Sequence, residues 1–232
     1  MPELTAILLA GGFGTRIREL YPDVPKPMIP VSGEPFLEWA IRYWKRQGAD
    51  RFVLSLGHLA EVAERYFAGR EEVVTVREPR ALGTGGAVLF VAGETALSDP
   101  FVVANGDSLV LGDVSAALAA IAQPGVDGVV LGVEVDDTSR YGSLAVDADG
   151  RLLGFHEKRP GRGWINGGVY FFRRATLDRF PRKEPLSMEM DVFPALLAGG
   201  ADLRVVGVRA PFLDIGTPES VRQAEEFVRQ LT

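Results

Sequence analysis

Through Val135 the chain alternates short apolar runs with amphipathic stretches, and few folds accept that alternation. The runs are "LTAILLA" (4–10), "RFVLSL" (51–56), "VVTVRE" (73–78), "FVVAN" (101–105) and "GVVLGVEV" (128–135). Each has the length of a strand in a sheet covered on both faces. Between them, "PFLEWAIRYWKRQG" (35–48) sets Phe36, Leu37, Ala40, Ile41 and Trp44 on one helical face, with Gly48 placed to end the helix. "HLAEVAERYFAG" (58–69) repeats that pattern and "DVSAALAAIA" (113–122) follows the fourth run. Such alternation predicts an α/β fold with a mostly parallel sheet covered by helices on both faces. Beyond Val135 the pattern changes. Two strand-like runs flank Asp149-Gly150, a hairpin signal. "WINGGVYFF", a helical "MDVFPALLAGG", a strand in "DLRVVGV" and a closing helix "TPESVRQAEEFVRQL" follow. No linker, low-complexity stretch or repeat divides the chain, so residues 1–232 are expected to form one domain.

"AILLAGGFGTR" (6–16) ends its strand in Gly11, Gly12 and Gly14, followed by Thr15 and Arg16. Glycines directly behind a strand let backbone N–H groups converge on an anion; the plain alternative is a tight strand-exit turn. No Gly-Lys-Ser/Thr follows, and Arg16 stands where a dinucleotide fingerprint needs its third glycine. A guanidinium beside such a loop suits a polyphosphate. Downstream, "DVPKPMIPV" (23–31) fixes Lys26 between two prolines, which predicts a stiff, extended strut carrying an ammonium.

"FVVANGDSLV" brings Asp107 beyond the carboxyl end of a buried strand, where open α/β sheets bind ligands. "APFLDIGTPES" places Asp214 just before a helix start, with Thr217 as N-cap and Pro218 at the first helical position. Two carboxylates can share one Mg²⁺, whose other ligands are phosphate oxygens and water. A turn at Asp107 and a cap at Asp214 are the plain alternatives. His58 and His156 lack metal-ligand spacing and acidic companions and read as structural or surface residues.

Together, "LAGGFGTRIREL", "DVPKPMIPVSGEPFLEW" and the later segments in their order resemble the sugar-1-phosphate nucleotidyltransferases, the nucleoside-diphosphosugar pyrophosphorylases, over essentially the whole chain. The resemblance implies a Rossmann-like mixed, mainly parallel sheet, the nucleotide-diphospho-sugar transferase fold, nucleotide-binding to about residue 135 and sugar-phosphate-binding beyond it, without a C-terminal β-helix domain. It implies an enzyme that joins a nucleoside triphosphate to a sugar 1-phosphate and releases pyrophosphate, with Mg²⁺ as cofactor. Arg16 and Lys26 then fall on the triphosphate, and Leu9, Ala10, Gly11, Gly12, Gly14 and Thr15 on the nucleotide. Asp107 and Asp214 take the metal. In "HEKRPGRGWINGGVYFF", Glu157 and Lys158 fall at the sugar 1-phosphate, where Lys158 screens two approaching anions. Asn166, Gly167 and Gly168 fall at the sugar, together with Asn105 and, in "PLSMEMDVFP", Glu189. A solvated Glu157–Lys158 pair and a helix-capping Glu189 are the alternatives.

"EPRALGTGGAVLF" (78–90) resembles the family's base-reading turn, with Gly83 and Thr84 opening a helix. Ala81 and Gly86 are small there, leaving room for a purine, and Glu78 can accept from guanine's N1–H and exocyclic amine. An exposed strand-end carboxylate is the alternative for Glu78. The expected nucleotide is therefore GTP. Among the family's branches, "INGGVY" and "FLDIGTPES" look most like the D-glycero-α-D-manno-heptose 1-phosphate guanylyltransferases, with mannose 1-phosphate guanylyltransferases as the near alternative. A non-catalytic nucleotide-sugar sensor is the reading from another class, against which stand the charged residues Arg16, Lys26, Asp107, Lys158 and Asp214.

A formal charge of −6 argues against nucleic acid and anionic membranes as partners. The chain holds no cysteine, no apolar run long enough to span a bilayer and no signal-peptide pattern, so a cytoplasmic location is expected.

Overall fold

The computed structural model describes residues 3–12, 14, 17–139, 143–156 and 160–231. The first strands and helices are β1 (Thr5–Ala10), β2 (Pro30–Val31), β3 (Glu34–Pro35), α1 (Phe36–Arg46), β4 (Arg51–Leu56) and α2 (Ala60–Phe67). Then come β5 (Val73–Arg77), α3 (Thr84–Glu94), β6 (Phe101–Asn105), β7 (Ser108–Val110), α4 (Ser115–Ala122) and β8 (Gly128–Val135). The remainder is β9 (Ser143–Val146), β10 (Leu152–His156), β11 (Gly163–Phe172), α5 (Phe193–Ala198), β12 (Leu203–Val208), β13 (Phe212–Asp214) and α6 (Pro218–Val228).

Nine strands make one mixed, mostly parallel sheet in the order β10-β9-β11-β6-β1-β4-β5, with β8 pairing β11 and β12 pairing β8. The run β6-β1-β4-β5 is wholly parallel, as the strand–helix alternation predicts. The long strand β11 breaks that pattern by pairing antiparallel with β6, β8 and β9, and so joins the later strands to the first ones.

The period of two along β1 divides the core. Ala6, Leu8 and Ala10 face the layer built by α1, α2, α4 and α6, while Ile7 faces the layer of α3 and α5. On the first side Trp44 of α1 is buried against Phe171 in an edge-on contact, centroids 6.2 Å apart. On the second, Phe172 lies against Phe101, Phe180 and Phe193. Helix α1 ends as expected at Gly48, whose φ of 94° lets the Ala49 N–H reach back to the Trp44 carbonyl. The Asp149-Gly150 hairpin also forms, with Gly150 at φ 79° and the Asp147 carboxylate accepting from the Asp149 and Arg151 N–H groups.

Candidate active site

The strands β1, β4, β5 and β6 run parallel, so their carboxyl ends open on one edge, and the loops behind β1, β5 and β6 line two adjoining cavities of about 230 and 300 Å³. Leu9, Gly12 and Asp107 line both. The smaller cavity is closed by Gly14, Lys26, Asp214 and Gly216, the larger by Gly11, Glu78, Gly83, Thr84 and Asn105.

At the smaller end one ammonium lies between two carboxylates. Lys26 Nζ donates to Asp107 Oδ2 at 2.7 Å and to Asp214 Oδ1 at 2.8 Å. The aspartates are far apart in sequence and meet because β7 and β13 form a short antiparallel ribbon that pairs Ser108 with Asp214. The Ile215 N–H donates to the Asp107 carbonyl and extends the ribbon. Asp107 does stand in the turn between β6 and β7, but its carboxylate goes to Lys26, and Asp214 does not cap α6: that helix is capped by Thr217, whose Oγ1 accepts from the Ser220 N–H while Ser220 Oγ accepts from the Thr217 N–H. Burial works to lower the Lys26 pKa, but Asp107 and Asp214 outweigh it and hold the ammonium above its ordinary value. The room is tight, since a Cβ on Gly216 would lie 2.7 Å from Asp214 Oδ1 and 3.3 Å from Lys26 Nζ.

Lys26 is rigidly held, but not on an extended strut. Residues Lys26–Met28 form a 3-10 turn in which the Met28 N–H donates to the Pro25 carbonyl at 2.8 Å and the Ile29 N–H to the Lys26 carbonyl. The extended conformation that Pro27 favours in its predecessor yields to this turn.

Lys26 Nζ takes Asp107 Oδ2 and Asp214 Oδ1, so the other oxygen of each carboxylate is the donor that would fit Mg²⁺, provided phosphate oxygens and water complete the shell. Among the described residues no three His, Cys, Asp or Glu gather as a metal site.

At the larger end Glu78 is not an exposed strand-end carboxylate. Its N–H donates to the Leu56 carbonyl, and its side chain turns in beneath the glycine loop. There Oε1 accepts from Ser55 Oγ at 2.9 Å, and the Leu82 N–H lies 3.5 Å from Oε2. Burial raises the Glu78 pKa, while Ser55 and the Leu82 N–H pull it back. A Cβ on Gly11 would stand 2.5 Å from Glu78 Oε1, and one on Gly57 would stand 2.5 Å from the Gly11 carbonyl. Ala81 borders this cavity, but Gly86 does not: it packs against Leu82 and Leu186 on another face of α3, and a separate cavity adjoins it. Ala10 likewise turns into the core and lines neither cavity.

The sugar-side candidates meet around a bulge in β11. Asn166 Nδ2 donates to Glu189 Oε1 at 2.5 Å and to the Tyr170 hydroxyl at 2.8 Å, and Asn166 Oδ1 accepts from the Gly168 N–H. Gly168 has φ 69° and lies against Asn105, where a Cβ would fall 2.4 Å from Nδ2. Gly167 closes on the Leu131 carbonyl in the same manner. Glu189 stands on a single π-helical turn, Met188–Val192, whose capping belongs to other groups: Ser187 Oγ accepts from the Met190 N–H and Asp191 accepts from the Ser187 N–H. Burial, then the Glu189 charge, drive the Tyr170 phenol well above its ordinary pKa.

The base-side loop and this sugar-side segment are stitched together. The Leu186 N–H donates to the Leu82 carbonyl, the Gly85 and Gly86 N–H groups donate to the Leu186 carbonyl, and the Met188 N–H donates to Thr84 Oγ1. Arg80 pairs with Glu184 alongside. Gly83, at φ 78°, has no room for a Cβ against the Leu186 carbonyl, 2.5 Å away.

Thr15, Arg16, Glu157 and Lys158 lie outside the described residues. The residues unforeseen from sequence are Ser55, Gly57, Gly216 and Tyr170. The lone hydroxyl in "RFVLSL" and the glycine directly behind it were the signals for the first two.

The family model for nucleotidyl transferases matches residues 5–230. A mannose-1-phosphate guanylyltransferase of Mycobacterium tuberculosis is 36% identical over 98% of this chain, which spans 65% of that relative's length. A D-glycero-alpha-D-manno-heptose 1-phosphate guanylyltransferase of Aneurinibacillus thermoaerophilus is 32% identical over 96% of this chain and 97% of its own. The crystal structure of HddC from Yersinia pseudotuberculosis complexed with GMP-PN superposes with a TM-score of 0.84 at 32% identity, covering 97% of this chain and 99% of that one.

Proposed function

Because this chain belongs to the nucleotidyl transferase family, we propose that it transfers a guanylyl group from GTP to a sugar 1-phosphate. An oxygen of the sugar phosphate attacks the α-phosphorus, the bond from that phosphorus to the bridging oxygen breaks, and pyrophosphate leaves. The nucleophile is already ionised at neutral pH, so no general base is required. What the reaction requires is positive charge, because two anions must meet.

The observation that carries this reading is the placing of Lys26, Asp107 and Asp214 at one end of a double cavity and Glu78 at the other. Lys26 supplies a fixed ammonium for the phosphates. Asp107 and Asp214 would hold Mg²⁺, which neutralises phosphate charge when bound. Glu78 offers two acceptor oxygens to the two donors on guanine's edge, whereas adenine would set an acceptor against it. Asn166 and Glu189 offer a donor and an acceptor to sugar hydroxyls, and Arg16, Glu157 and Lys158 keep the phosphate roles that the family resemblance implies.

The sugar we propose is D-glycero-α-D-manno-heptose 1-phosphate, supported by "INGGVY", "FLDIGTPES" and the heptose relative. Mannose 1-phosphate is the second reading, supported by the 36% identity to the mannose relative. Measuring pyrophosphate release with each of the four nucleotides, a panel of sugar 1-phosphates and Mg²⁺ tests all of this. GTP is expected to exceed ATP, UTP and CTP by ~10²-fold in kcat/KM, below the ~10⁴-fold that fully enclosed polar matching reaches. A preference for UTP or CTP overturns the base assignment.

A further inference from the structure

Ser55 is the one polar residue in the buried portion of β4, and its side chain is fully enclosed. A buried hydroxyl in an apolar strand has to be satisfied, and this one donates to Glu78 Oε1 at 2.9 Å. The carboxylate it holds is confined elsewhere as well: Gly11 leaves room for Oε1 only because it lacks a Cβ, and the Leu82 N–H stands beyond Oε2. Of these three restraints only Ser55 contributes a side-chain hydrogen bond. Without it, the carboxylate keeps only the long Leu82 N–H bond and the packing at Gly11, and its last torsion, where the energy is broad and roughly two-fold, is less restrained.

We propose that Ser55 is a positioning residue for nucleotide choice: it orients the Glu78 carboxylate so that both oxygens face guanine's donor edge. This rests on the reading of Glu78 as the base-recognising group. Ser55 does not line the cavity and touches no substrate; its effect passes through Glu78 alone. Each carboxylate oxygen has two lone pairs, so Oε1 can accept from Ser55 and from guanine at once.

The experiment compares wild type, Ser55→Ala, Ser55→Cys, Glu78→Gln and the Ser55→Ala/Glu78→Gln double variant. Each is assayed with GTP and ATP against one accepted sugar phosphate, with the Tm recorded beside the kinetics. Ser55→Ala is expected to reduce the GTP-over-ATP ratio about tenfold, the scale of one hydrogen bond to a charged group, through the KM for GTP with kcat held. Ser55→Cys, a weaker donor of similar shape, should fall between. In the Glu78→Gln background Ser55→Ala should add nothing, because the two act as one unit. If Glu78→Gln lowers the ratio while Ser55→Ala leaves it unchanged, the positioning role is overturned and the reading of Glu78 stands. If Glu78→Gln also leaves it unchanged, that reading fails and takes the role of Ser55 with it. Equal losses with GTP and ATP that follow the Tm reduce Ser55 to a structural hydroxyl.

Discussion

Replacing Lys26 by alanine separates two quantities that the structure predicts to be unequal. The ammonium sits within 2.7 and 2.8 Å of two carboxylate oxygens, so those oxygens are no more than about 5.5 Å apart. Without Lys26, two negative charges at that separation repel by about 0.8 kcal/mol in a water-like medium and about 3 kcal/mol at an effective dielectric constant near 20. The Asp107 and Asp214 side chains are 33% and 45% exposed, so the low end applies and the loss of stability should be about 1 kcal/mol. The loss in catalysis should be larger. Removing one preorganised charge from the reacting phosphates costs roughly 2–4 kcal/mol, or about 30- to 1000-fold in kcat/KM. Thermal unfolding and initial rates of pyrophosphate release, measured on the same preparation, read the two effects separately. The sign with pH is set by the direction of the shift. The Lys26 pKa is raised above 10.5, so the pairing is complete below that value and is lost only as pH rises through the higher, folded-state pKa. Assays between pH 7 and 9 therefore see the charged form throughout. Lys26→Arg should be no rescue, since a planar fork is a poor replacement for a point charge shared by two carboxylates. Near-normal kcat/KM in the alanine variant refutes the reasoning.

Asp107→Asn and Asp214→Asn should each remove most turnover at unchanged secondary structure by circular dichroism, and the double variant should lose little more, because the pair acts as a unit; turnover persisting in EDTA excludes the metal role. Glu78→Gln should raise the Tm at pH 8. The folded-state pKa of Glu78 is raised, so its favourable contribution exists below the unfolded value and disappears as pH rises through the folded one; the gain should accordingly vanish near pH 4. A lower Tm at pH 8 contradicts that direction. Thr217→Ala removes the side-chain acceptor for the Ser220 N–H and should cost about 1 kcal/mol in urea unfolding with activity per folded molecule preserved; loss of activity alone places Thr217 nearer the chemistry than the geometry does.

Where burial is two-sided, the sequence and the structure agree closely. "RFVLSL", "FVVAN" and "GVVLGVEV" coincide with β4, β6 and β8, because continuous apolar runs have few alternatives in an α/β sheet. The β7–β13 ribbon was not legible: each strand is three residues long, and its stability comes from a pairing between segments about a hundred residues apart. Yet that ribbon is what unites Asp107 with Asp214. Neighbours in sequence also diverged in direction. Ala10 follows a cavity-lining Leu9 but points to the opposite face of the sheet, and Gly86 precedes a cavity-lining Ala87 but lies around the helix from it. The motif marked the neighbourhood of the site; strand and helix periodicity decided which members face it. The inward turn of Glu78 depends on two glycines from other loops and a serine in β4, a combination that proximity along the chain does not reveal.

The backbone stitches between 82–86 and 186–188 have a consequence for how such a protein can change. The 82–86 loop and the 186–188 segment exchange hydrogen bonds through the same carbonyl, so a change in the path of one is felt by the other. A graft that imports 78–86 from a relative with a different loop length leaves the Leu186 N–H and carbonyl without their partners and forces a side chain toward the position Gly83 vacates. Altering nucleotide choice by recombination should therefore succeed when both segments travel together and fail when either travels alone. Thermal unfolding of the two kinds of chimera makes the comparison. Under the proposed function, the choice of nucleotide and the choice of sugar, chemically separate, would thus share a mechanical linkage.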